Sequence, residues 1–166
     1  MSATEIVKTF IRALQSGNIE VAAEQMADEF VGIGLTAQPL DKGTFLELQS
    51  RHADAMPDFS YNLHDLHEQD NRVDAFIHIT GTNINDLELP MYGIPLVRAT
   101  GVAIDLSEVH SEYIVQGEKI VAMSVDAVPG GGLPDLLQQV GQELPVLPRL
   151  GTEDITRLNE SGDTQI

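Results

Sequence analysis

The sequence predicts an α+β domain, with helices gathered at the N-terminal end and covering one face of a curved antiparallel sheet. Three observations predict it. Apolar residues recur at helical spacing through the first third of the chain, and after Pro57-Asp58 the apolar period changes to two. Two dipeptides, Asp70-Asn71 and Gly117-Glu118, then divide the period-two stretches into hairpins. No internal repeat is visible, and 166 residues suit one domain with a core able to stand alone.

The first helix follows from Ile6, Val7, Phe10, Ile11 and Leu14, with Ser2 or Thr4 as its cap and Gly17-Asn18 as its end. A short second helix runs from about Ile19 to Met26, and Phe30-Val31-Gly32-Ile33 reads as a buried strand. Asp41 caps a third helix whose inner face is Phe45, Leu48, His52 and Met56, stopped by Pro57-Asp58. Phe59 to Glu68 pairs with Arg72 to Thr82, and Val102 to Val115 pairs with Lys119 to Val128. Between the hairpins, Asn83 to Ala99 contains Pro90, Gly93 and Pro95 and reads as a loop able to form a rim or lid. Pro129-Gly130-Gly131-Gly132 breaks the last strand; it lacks the Lys-Ser/Thr of a phosphate-binding loop and reads as a hinge. Leu133 to Val140 is a short helix. The tail that follows carries Leu144, Val146 and Leu147, turns polar and acidic, and is expected to drape over the domain or a partner subunit.

Composition removes whole classes of function. Nine Lys+Arg against 26 Asp+Glu give a formal charge of -17, a field that repels phosphate backbones and anionic headgroups, so nucleic acid and membrane are not expected partners. No cysteine is present, which excludes disulfides, thiolate metal sites and a cysteine nucleophile. No apolar run is long enough to cross a bilayer and no secretory signal is visible, so a cytoplasmic location is expected. No serine sits in a nucleophile elbow and no Gly-x-Gly-x-x-Gly offers a nucleotide site, which leaves cofactor-free chemistry.

Four ordered segments carry a family resemblance. His64 to Thr82 (HDLHEQDNRVDAFIHITGT), Gly93-Ile94-Pro95 with Thr100-Gly101, Ile114 to Met123 (IVQGEKIVAM) and Gly132 to Gly141 (GLPDLLQQVG) resemble, in this order, motifs of the SnoaL-like polyketide cyclases and their uncharacterised relatives. The resemblance covers roughly Phe59 to Gly141. It implies the cone-shaped nuclear transport factor two-like fold, with three N-terminal helices packed on a curved antiparallel sheet, a short C-terminal helix and a tail. It also implies a domain over residues 1–141 with a tail over 142–166, and a homodimer formed through the open sheet face. The sequence departs from the family where Glu-His-Trp is often found, here Ala122-Met123-Ser124, and where a recurrent His is Asn83.

If Gly117-Glu118 is a two-residue turn, Val115 opposes Ile120, Tyr113 opposes Ala122, Ser111 opposes Ser124 and Val109 opposes Asp126. Asp126 then lies on a face suited to a core or pocket, where desolvation would raise its pKa toward that of a usable acid or base. The other reading is a strand-end aspartate that caps a turn or meets solvent before Pro129. In SnoaL-like cyclases an Asp near this strand end is the acid/base, and Asp126 is the nearest match. Treating the first hairpin the same way puts Asn62 and His64 with Leu66, Val73, Ala75, Ile77 and Ile79, and puts Tyr61, Asp65, His67, Asp74, Phe76 and His78 on the other face. A slip of one residue would swap these roles. His64 and His67 then point to opposite faces, which argues against a metal. His110 and Glu112 face away from Asp126 and read as interface or surface.

The resulting expectation is an acid/base enzyme of cyclase or isomerase type acting on a small apolar carbonyl compound, without cofactor or metal. Asp126, His64 and His52 are its catalytic set, and Asn62, Ser124, Tyr113, Tyr92 and Met91 line the ligand. On its own, a lone His on such a stripe reads more often as a satisfied, partly buried core residue, and Tyr92 and Met91 more often as loop anchors. An epoxide-hydrolysing relative would need an Arg between two pocket carboxylates, and Arg72 with Asp74 lies too near a turn. The competing readings are a small-ligand carrier of the same shape and a dimeric assembly module.

Overall fold

The computed structural model describes residues 2–90, 96–126 and 133–139. Helix α1 spans Ala3–Gln15, opened by Ser2, whose hydroxyl accepts from Glu5 N at 3.1 Å. Its buried stripe is Ile6, Val7, Phe10, Ile11 and Leu14. Helix α2 (Ile19–Glu24) is capped by Asn18, and α3 (Lys42–Ala55) by Asp41, whose carboxylate accepts from Thr44 N at 2.9 Å. Two strands lie between these helices, β1 (Met26–Ile33) and the short β2 (Leu40–Asp41). Phe10, Phe30 and Phe45 meet with ring centroids 5.1–6.3 Å apart and pin α1 and α3 to β1.

The remaining strands are β3 (His64–Gln69), β4 (Arg72–Ile77), β5 (Thr80–Thr82), β6 (Ala103–Asp105), β7 (Val109–Gln116) and β8 (Lys119–Val125), followed by helix α4 (Leu133–Gln139). The main sheet has the order β2-β1-β8-β7-β4-β3, and β5 and β6 form a separate pair. The α+β class and the curved, unclosed sheet are those expected. One pairing departs from a wholly antiparallel sheet: β1 runs parallel to β8, Val31 beside Ala122 and Ile33 beside Ser124. A parallel neighbour needs a long crossover, and here all the intervening chain supplies it.

Two expected long strands are each broken. Arg72 to Thr82 divides at His78-Ile79, and Val102 to Val115 divides at Leu106 to Glu108. At the break the backbone changes partners: His78 N donates to Tyr61 O at 2.7 Å, and Leu106 N donates to Ile79 O at 2.9 Å. The sheet thereby bends around the helices without leaving these backbone groups unpaired.

The turn Gly117-Glu118 forms as expected, with φ of +59° and +64°. The register beyond it does not. Val115 pairs with Ile120, but Ile114 pairs with Ala122, Tyr113 with Met123 and Glu112 with Ser124, so Val121 is an extra residue, a β-bulge. A second bulge lies in β3, where His64 pairs with Phe76 and His67 with Asp74, and Asp65 takes φ of +56°. Each bulge reverses every side chain beyond it. Gly34 holds β1 against β8: its φ is +94°, and a Cβ there would stand 1.9 Å from Val125 O.

The core lies between the helices and the inner face of the sheet, where Val73, Ala75 and Ile77 of β4, Val109, Ser111, Tyr113 and Val115 of β7, and Ile120, Met123 and Val125 of β8 are all buried. Among the described residues no helix is long and apolar enough to cross a membrane. The expected glycine hinge, the 142–166 tail, Met91 and Tyr92 lie outside the described residues.

Candidate ligand site

Polar side chains gather at one place in the largely apolar interior. His52 lies on the buried stripe of α3 with Phe45, Leu48, Gln49 and Ala55. Its ring stacks on Phe59 (centroids 5.5 Å apart), and Phe59 in turn meets Tyr61 edge-on at 5.2 Å. The Tyr61 hydroxyl donates to Gln49 Oε1, so these two satisfy each other. Tyr113 stands on the inner face of β7, close enough to Tyr61 to add to the effect of burial in raising the Tyr61 pKa. Gln49, His52, Tyr61, Ser111 and Tyr113 are all buried.

Two members have no hydrogen-bond partner. Both ring nitrogens of His52 and the Tyr113 hydroxyl are sealed from solvent and unpaired. Ser111 Oγ donates to Ala75 O at 3.3 Å and lies near enough to Tyr113 to lower the phenol's pKa against the larger, raising effect of burial, but not within hydrogen-bonding geometry of its hydroxyl. Buried polar atoms are normally satisfied, because leaving one unpaired costs about 1–3 kcal/mol. Desolvation lowers the His52 pKa from 6.5 to about 4, so at neutral pH the ring is uncharged, with one N–H donor and one acceptor nitrogen. Burial raises the pKa of both tyrosines, which stay protonated donors.

The bulges decide which expected site residues join this cluster. His52 and Tyr113 do. Asp126 does not: the extra residue at Val121 turns it to the outer face, where it is 61% exposed and its Oδ2 lies 3.6 Å from His110 Nδ1. The expected separation of Asp126 from His110 and Glu112 is therefore corrected; all three share the outer face. Ser124, opposite Glu112, goes with them. His64 is displaced by the bulge at Asp65: it stacks on Phe76 at 5.9 Å, and its nitrogens meet Asp65 (3.1 Å) and Glu108 (3.0 Å), which raise its pKa. His64 and His67 thus lie on one face, not opposite faces. Among the described residues no group of three or more His, Asp or Glu could hold a metal.

Asn62, with φ of +46°, is exposed and donates to His78 O (2.7 Å) and Thr80 Oγ1 (3.1 Å); it borders an open groove between α1 and the chain before β3, beside Lys8, Arg12 and Leu66. Asn83 is buried and clamps the loop, donating to Arg98 O and Thr100 Oγ1, both at 3.3 Å. Sequence reasoning missed Gln49 and Tyr61. Gln49 had a signal, a polar residue adjoining the apolar stripe of α3 three positions before His52. Tyr61, expected on the outer face, is instead buried, because its face depends on how the chain enters β3.

The sequence matches the family model of the SnoaL-like domain over residues 7–123. No curated protein matches it. Among solved structures it is similar to a candidate polyketide cyclase from Xanthomonas campestris pv. campestris, at 19% identity and TM-score 0.62, covering 83% of this chain and 96% of that one. It is similar to a candidate hydroxylase from Streptomyces galilaeus, at 16% identity and TM-score 0.63, covering 84% and 95%. It is also similar to a hypothetical protein with a ketosteroid isomerase-like fold from Catenulispora acidiphila, solved in complex with trimethylamine, at 13% identity and TM-score 0.59, covering 84% and 95%. At these identities the likeness is one of fold.

Proposed function

This chain belongs to the SnoaL-like domain family, and from that premise we propose that it binds a small apolar carbonyl compound in the interior of its cone, at His52 and Tyr113. The observation that carries the reading is the unpaired state of the His52 nitrogens and the Tyr113 hydroxyl inside an apolar core. A carbonyl oxygen accepts from a phenol or an imidazole N–H, and an apolar body suits buried Phe59, which stacks on His52, and buried Met123, the β8 partner of Tyr113. The test is NMR of the full chain with labelled histidine and tyrosine, titrated with a panel of small ketones. Shifts confined to His52 and Tyr113, lost in Tyr113→Phe, support the proposal; shifts only at the outer-face histidines His64 and His110 overturn it.

One observation favours a second reading, turnover at the same place: His52 puts a titratable group in the interior. The C–H proton next to the carbonyl would pass to the neutral imidazole, the electron pair would move into the enolate, and the Tyr113 hydroxyl would donate to the developing oxyanion. His52 would then return the proton at another carbon, the step common to isomerisation and aldol cyclisation. Exposed Asp126 lies 3.6 Å from half-buried His110, which also meets Asp74 at 2.9 Å, so a role for Asp126 would need a ligand on the outer face. Deuterium exchange into a bound ketone separates the cases: wash-in lost in His52→Leu supports turnover, and wash-in unchanged there but lost in Asp126→Asn assigns the chemistry to the outer face.

A homodimer belongs to the same proposal. The outer face leaves Phe76, Ile114, Ala122 and Val31 half-buried and Ile33 46% exposed, apolar surface that a second copy would cover.

A further inference from the structure

The interior holds its polar groups in a particular electrical state. The chain has 26 Asp+Glu and 9 Lys+Arg, yet among the described residues the buried polar and charged set is Gln49, His52, Asn83 and Ser111, with the phenols of Tyr61 and Tyr113 beside them. No described carboxylate, ammonium or guanidinium is buried. The members of the cluster come from three parts of the chain. Helix α3 contributes Gln49 and His52, the Phe59 to Tyr61 segment contributes one phenol, and β7 contributes the other with Ser111. The inward residues of β4 and β8 are apolar: Val73, Ala75 and Ile77, then Ile120, Met123 and Val125. The titratable members are therefore one imidazole and two phenols, and all three are neutral at pH 7.

Resting on the interior-site reading above, we infer that this site accepts its ligand only in uncharged form, with His52 and Tyr113 as the selecting residues, and that an acidic ligand enters as its conjugate acid. A carboxylate brought inside would lose its hydration and meet no fixed positive charge, a cost that hydrogen bonds from a phenol and an imidazole N–H only partly offset. The neutral acid keeps the same shape, donates its own O–H to the acceptor nitrogen of His52 and accepts from Tyr113. One proton is thereby taken from solution for each anion bound. The surface field has the same sign of selection, because a net charge of -17 disfavours the approach of anions.

The test uses three probes of nearly equal shape on the full chain: acetophenone and benzamide, which are neutral, and benzoate. At pH 7.5 both neutral probes should shift the His52 and Tyr113 resonances, and benzoate should bind at least about 30-fold more weakly. Benzoate affinity should then rise about tenfold for each pH unit down to pH 5.5, with calorimetry in buffers of different ionisation enthalpy giving uptake of one proton per benzoate. Benzoate binding within about threefold of acetophenone at pH 7.5, with the same two residues shifted, overturns the selection for neutral ligands and leaves the interior site standing. Failure of all three probes to move His52 or Tyr113 removes the interior site and this inference with it.

Discussion

The buried imidazole of His52 makes the stability of this protein fall with acidification in a way that one substitution should abolish. In the folded chain its pKa is about 4, against 6.5 for an unperturbed histidine, because the ring is desolvated and has no partner for its proton. The folded pKa lies below the unfolded one, so between pH 6.5 and 4 the unfolded chain holds the extra proton. Stability is full above this window and lost as the pH falls through it. The difference corresponds to about 2 kcal/mol lost between pH 7.5 and 5, and about 3 kcal/mol once the pH is below the folded value. His64 works in the opposite sense, since Asp65 and Glu108 raise its pKa and its contribution is lost as the pH rises. Comparing the native chain with His52→Leu cancels His64 and the carboxylates, which titrate alike in both. Urea unfolding followed by circular dichroism at half-unit steps from pH 7.5 to 5 should show the native chain losing about 2 kcal/mol relative to the variant. Parallel pH profiles, agreeing within about 0.5 kcal/mol, would falsify the placement of His52 as a dry, unpaired ring.

Three further outcomes follow from the geometry. Tyr113→Phe removes an unpaired buried hydroxyl while keeping the ring, so urea melts of the unliganded protein should show unchanged stability or a gain of up to about 1 kcal/mol; a loss above about 1.5 kcal/mol would mean that the hydroxyl is satisfied. Gly34→Ala sets a Cβ 1.9 Å from Val125 O at a φ of +94°, so β1 must part from β8; a loss of about 3 kcal/mol or more is expected in the same melts, and a near-neutral effect would refute the close approach. Phe76→Glu places a charge in the middle of the outer sheet face, flanked by His64 and His110. Sedimentation velocity should show the native chain as a dimer and the variant as a monomer, and a dimer unaffected by the substitution would place the contact elsewhere.

The sequence by itself determined the helices, their caps and the regular strands. Helical periodicity marked the inner face of α1 and of α3, including His52, and Ser2 and Asp41 sit where capping chemistry puts them. Alternation gave the inward set of β4, Val73, Ala75 and Ile77, and of β7, Val109, Ser111, Tyr113 and Val115. Both of these strands are unbulged, so counting by twos from the turn stays in step. Only the tertiary structure decided the partners, β3 and β8, and with them the positions of His64, Ser124 and Asp126. Each partner carries one extra residue, at Asp65 and at Val121, that bends and twists the sheet around the helices. Composition does not register such an insertion: Val121 is as ordinary a strand residue as Ile120, and which of the two stays in the ladder is settled by the curvature the helices impose. The parallel seam between β1 and β8 has the same origin, since an apolar run carries no direction until the chain between the two strands has packed.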